Sequence, residues 1–136
     1  MWGNSMSEKI YKGYIIDKSQ KSRKIFDTLR ITNQKTIWLG LITIYEIEVT
    51  EKELDTVINQ LQKNMVNRIG LKKQEFYLHF YCGNELIIVY RTKKFLATSD
   101  KSTWIEAQNY GRSLGIVSKQ LDFLTPEQNR QRYFSK

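Results

Sequence analysis

The stretch EFYLHFYCGNELIIVYR, residues 75–91, holds the chain's only His and its only Cys, three residues apart and set among aromatics. At its centre Gly83-Asn84 is a two-residue connection with Gly first, the composition a primed hairpin turn demands. With the turn there, Cys82 pairs with Glu85, and the register runs outward through Tyr81–Leu86, Phe80–Ile87, His79–Ile88 and Leu78–Val89 to Tyr77–Tyr90. Strand alternation sends Phe76, Leu78, Phe80, Cys82, Ile87 and Val89 to one face. The other face collects Tyr77, His79, Tyr81, Leu86, Ile88 and Tyr90. His79 and Cys82 therefore point to opposite sides, and they neither share a metal nor form a nucleophile–base pair. Cys82 reads as a small packed hydrophobe.

Upstream, KIYKGYII (9–16) reads as a short extended segment, and SRKIFDTLRI (22–31) places Ile25, Phe26 and Leu29 on one helical face. IWLGLITIYEIEV (37–49) is a long β-prone run with apolar residues on both faces. Thr50 and Glu53 have the spacing of a helix start, and Leu54, Val57, Ile58, Leu61 and Met65 follow as an apolar stripe. Downstream of Arg91 the chain either extends the same strand or begins another. A second helix is expected from Ser102 or Thr103, with Trp104, Ala107, Tyr110, Gly111 and Leu114 buried and Gly115 as its left-handed cap. QLDFL (120–124) reads as a last strand, and Thr125-Pro126-Glu127 as the start of a small terminal helix.

The order over 36–124 is strand, helix, hairpin, helix, strand. It predicts an α+β fold of the ferredoxin-like split βαβ kind, an antiparallel sheet with two helices on one face. The expected organisation is a leader or tag at 1–6, an N-terminal extension at 7–35 packing on the core, and the domain proper at 36–136. DKSTWIEAQNYGRSLGI…KQLDF (100–123), together with ELIIVYRTKKF, resembles a family of small uncharacterised prokaryotic proteins that carries the same helix start, Tyr-Gly, Ser-Leu-Gly-Ile and Gln-Leu-Asp-Phe. Val117 stands where that family has Pro. The resemblance covers mainly the C-terminal half and implies a genuine domain, with no activity, cofactor or site residue attached.

Composition narrows the chemistry. One Cys excludes an internal disulfide framework, and one Cys with one His excludes a zinc cluster within the chain. No phosphate-binding Gly loop, nucleophile elbow or metal-ligand spacing is present, so no catalytic residue, metal or cofactor is assigned. Glu46 and Glu48 share a strand face and read as solvated at a sheet end; Asp100, Glu106 and Asp122 read as cap and turn residues. No apolar run nears the roughly 18 residues that span a bilayer, so the expected compartment is the cytoplasm and no membrane partner is expected.

The formal charge of +8 points to anionic partners, nucleic acid among them. The candidate anion-binding residues are Lys18, Lys21, Arg23 and Lys24 in DKSQKSRK, with Arg91, Lys93 and Lys94. Tyr77, His79, Tyr81 and Tyr90 form the candidate ligand or interface face, since one class of RNA-binding module stacks bases on such aromatics. That face also carries Leu86 and Ile88 and is too apolar to stand in water. Its expected cover is the 9–31 segment or, in a homodimer, a second copy. The leading function is a non-catalytic binding module for an anionic partner; the alternative is a dimeric small-molecule enzyme or sensor with a pocket beside the Tyr/His face.

Overall fold

The computed structural model describes residues 8–134, and the expected leader at 1–6 lies outside them. Six strands form one antiparallel sheet: β1 (Ile10–Ile16), β2 (Arg30–Ile37), β3 (Ile42–Thr50), then, after helix α1 (Leu54–Lys63) and a two-stranded hairpin of β4 (Arg68–Ile69) and β5 (Lys72–Lys73), β6 (Tyr77–Cys82), β7 (Glu85–Tyr90) and β8 (Lys94–Thr98). Their order across the sheet is β2-β3-β1-β6-β7-β8. Helices α2 (Ile105–Ser113) and α3 (Pro126–Asn129) complete the chain.

The 75–91 hairpin folds in the expected register, all six pairs from Cys82–Glu85 to Tyr77–Tyr90. Gly83 takes φ +58, which is what the turn needs. The Tyr90 amide donates to the Lys93 carbonyl at 2.7 Å, so the chain reverses again and 94–98 is a separate strand on β7.

Alternation along these strands builds two cores. On the first face Leu78, Phe80, Val89, Ile15 and Ile47 meet Leu54, Ile58 and Leu61 of α1. On the second, Tyr81, Leu86, Ile88 and Tyr90 meet Trp104, Ala107, Ile116, Leu121 and Phe123. The two helices thus lie on opposite faces of an α+β fold, and the ferredoxin-like arrangement with both on one face is not adopted. Residues 120–124 form no strand: Phe123 takes φ +38, which breaks extension, and β2 and β8 hold the sheet edges.

The N-terminal expectation also changes. Within 8–35 the chain supplies strands to the main sheet. β1 sits in the middle of the sheet between β3 and β6, and the expected boundary at 35/36 falls inside β2. Gly13 permits this placement, because its bare Cα lies under the ring of Phe80 on β6 and a Cβ there would clash with it. The β-prone run 37–49 is broken at 38–41, where Trp38 and Leu39 take φ 53 and 58 ahead of Gly40 at φ 85. Bulky residues in the left-handed region give no turn signal in sequence.

Local stops and starts hold where their chemistry is specific. Gly115 closes α2 with φ +94, its amide on the Arg112 carbonyl and that of Ile116 on the Gly111 carbonyl, the two bonds of a Schellman cap. Thr125 and Gln128 make a reciprocal capping box around Pro126. A 3-10 turn, Lys101–Trp104, leads into α2 and is capped by Asp100, whose carboxylate accepts from the Ser102 amide at 2.9 Å. Among the described residues no helix is long and apolar enough to cross a membrane.

Candidate functional site

The Tyr/His face is covered by the chain itself, through an arrangement in which ring tips hold backbone. Tyr81 Oη donates to the Phe123 carbonyl at 2.8 Å, Tyr77 Oη to that of Gln120, and Tyr90 Oη to that of Ala107. His79 Nε2 lies 2.9 Å from the Leu124 carbonyl. A carbonyl only accepts, so Nε2 carries the proton. Four side chains that alternate along β6 and β7 therefore fasten α2 and residues 120–124 across the sheet. The cover comes from α2 and residues 120–124 rather than from the 9–31 segment.

Burial sets the protonation of these groups. His79 is driven down to about 4 by burial, which the Leu124 contact only partly opposes, and it stays neutral at physiological pH. Burial and the nearby Asp122 carboxylate push Tyr81 up to about 12. Tyr14, stacked on His79 with centroids 5.2 Å apart, is raised by burial and by its 2.7 Å hydrogen bond to Glu46.

Glu46 is buried rather than solvated. A bulge between Ile31 and Asn33 in β2 lets Thr32 and Asn33 both reach Oε1, at 2.7 and 2.9 Å. Burial alone would raise the carboxyl, yet the bonds from Thr32, Asn33 and Tyr14, with Lys12 nearby, hold it below the usual carboxylate range. Lys12 lies 3.7 Å from Glu46 and 2.9 Å from Glu48, so the two carboxylates are tied together by a cation. They are not a free acid–base pair. Cys82, half-buried, borders the first core, and no group of His, Cys and carboxylates among the described residues is arranged to hold a metal ion.

Beside His79 a cavity of about 410 Å³ opens between the sheet and the 116–134 segment. Tyr14, Ile44, Tyr77 and His79 form its floor, Leu124 and Tyr133 line its C-terminal side, and Trp38 and Ile69 reach it from two different hairpins. Glu75 also lines it, paired with Arg91 at 3.3 Å, and its other carboxylate oxygen is buried without a hydrogen-bond partner.

The candidate cations converge in a way their spacing in sequence conceals. The registers place the exit of β1, the β2–β3 turn, the entry to β6 and the β7–β8 turn at one end of the sheet. Helix α1 ends there as well, with Gln62 bonded to the Tyr90 carbonyl and the Asn64 carbonyl accepting from the Lys21 amide. Loops 17–24, 63–75 and 91–94 hold eleven of the chain's 22 Lys and Arg but two of its 14 Asp and Glu, a net +9; the remainder nets −1. The two acids are already engaged, Asp17 with Arg23 at 3.6 Å and Glu75 with Arg91. Arg23 and Arg91 are thus partly committed to the fold, and Lys93 sits over the Phe95 ring. Lys18, Lys21, Lys24, Lys72, Lys73 and Lys94 are exposed, and none has a carboxylate partner among the described residues. Sequence reasoning missed Lys63, Arg68, Lys72 and Lys73, since only the folded sheet and α1 bring their loop to the end that carries Lys18 and Lys94.

Compared with family models, curated proteins and solved structures, the chain matches none.

Proposed function

We propose that this protein is a non-catalytic module that docks through the basic end of its sheet onto a polyanionic partner. The observation that carries the reading is the concentration of a net +9 in three loops at one end, with the rest of the chain near neutrality. Unpaired cations gathered at one end attract a polyanion over roughly a Debye length and release its counterions on contact. At the opposite end Lys9 and Glu85 are paired at 2.7 Å and Lys12 with Glu48, so charge there is internal to the fold.

The test is retention on heparin and on duplex DNA over a salt series. Neutralising Lys21, Lys24, Lys72, Lys73 and Lys94 together is expected to weaken binding by about tenfold or more and to flatten its salt dependence. Neutralising Lys9 and Lys12 leaves it unchanged. Absence of retention at low salt discards the reading.

The cavity beside His79 favours a second reading, a small-molecule sensor, since its volume lies in the range of ligand pockets and its floor is aromatic. A thermal-shift screen of aromatic and amphiphilic compounds tests it: a stabilising hit lost on Trp38→Ala supports a ligand there, and a screen without hits removes it.

A further inference from the structure

The basic end carries a second feature that charge does not explain. Leu39 and Leu71 are 101% and 96% exposed, Trp38 and Leu41 about two thirds exposed, and Ile69 is 41% exposed. These five residues form the tips of two hairpins, β2–β3 and β4–β5, and both tips flank one cavity, which Trp38 and Ile69 line together. Trp38 and Leu39 are held in the left-handed region, which is strained for bulky side chains. Within the chain no burial offsets that strain.

We infer that these two tips dock on an anionic lipid bilayer surface, a proposal that rests on the polyanion reading and names the partner. The ordering of residues is what a bilayer needs: apolar side chains at the outermost points, with Arg68, Lys72 and Lys73 immediately behind one tip and Lys35 behind the other, all exposed. Apolar tips bury in the headgroup–acyl boundary while the cations meet lipid phosphates. A nucleic-acid backbone would use the cations and leave Leu39 and Leu71 in water. The expectation of no membrane partner rested on the missing transmembrane run, and docking on a surface requires none.

The test uses the full chain with two sets of vesicles, phosphatidylcholine alone and equimolar phosphatidylcholine and phosphatidylglycerol, in sedimentation assays, with heparin retention run in parallel. Binding is expected to the mixed vesicles only. Leu39→Ser and Leu71→Ser are each expected to lower that affinity by about tenfold while leaving heparin retention unchanged. Both sites are exposed, so unchanged circular dichroism and melting confirm the fold. Trp fluorescence should shift to the blue on vesicle binding, and Trp38→Phe should abolish most of the shift. Heparin retention without binding to mixed vesicles, or vesicle binding indifferent to the tip variants, overturns the lipid inference and leaves the polyanion reading standing. Tip variants that weaken duplex DNA binding instead also overturn it. Loss of both heparin and vesicle binding overturns both.

Discussion

The two faces of the sheet are closed by different physics. The first is hydrocarbon against hydrocarbon: Leu78, Phe80 and Val89 under Leu54, Ile58 and Leu61 of an amphipathic helix. The second is closed by aromatic rings whose polar tips grip the backbone at Ala107, Gln120, Phe123 and Leu124. Non-directional burial alone suffices for a helix that already satisfies its own backbone. Residues 120–124 have no ladder to join, and buried carbonyls without partners are costly. The Tyr and His tips answer that need, so the residues that look most like a recognition surface are consumed by the fold.

Core truncation gives the largest expected effect. If both faces are true interiors, Phe123→Ala should cost about 3–5 kcal/mol and Leu78→Ala about 2–5 kcal/mol in urea unfolding, both side chains being fully buried. A loss under about 1 kcal/mol at Phe123 would break the parity of the faces.

Next comes pH. His79 titrates near 4 when folded and near its ordinary 6.5 when unfolded. Between these values the unfolded chain binds the extra proton. The second face thus contributes its full stability above about pH 6.5 and loses it as pH falls toward 4, by about 3 kcal/mol at most. His79→Phe should flatten that acid limb in denaturation curves taken at several pH values. An unchanged slope would mean the imidazole is not sealed.

Smaller effects are expected at the tethers. Tyr81→Phe should cost about 1–2 kcal/mol, because it leaves the buried Phe123 carbonyl unpaired, and Tyr90→Phe should cost less, because the Ala107 carbonyl lies inside α2; thermal melts of the two variants suffice to see it. Smallest of all, Cys82→Ala on the border of the first face should cost less than about 1 kcal/mol, measured the same way.

The same contrast explains what could be read in advance. The 75–91 hairpin, the α1 stripe, the Gly115 cap and the Thr125-Pro126 start each follow from a residue whose local conformation is forced, and all are present. The cover of the second face was illegible, because a tether from a Tyr hydroxyl to a carbonyl many residues away leaves no pattern in the chain. Trp38 and Leu39 hid a turn inside an apparent strand. Glu46 looked solvated because the bulge that brings Thr32 and Asn33 to it is not encoded in spacing. Lys18, Lys21, Lys24 and Lys94 are exposed cations, and their union with the 63–75 loop exists only once α1 and the sheet bring the loops to one end.

Lysine acetylation footprinting of the full chain, with and without heparin, tests most directly whether the basic end is the docking surface. Lys18, Lys21, Lys72, Lys73 and Lys94 should lose reactivity together, while Lys9, Lys52 and Lys101 keep theirs. Uniform protection across both sets, or protection confined to the latter, would contradict it.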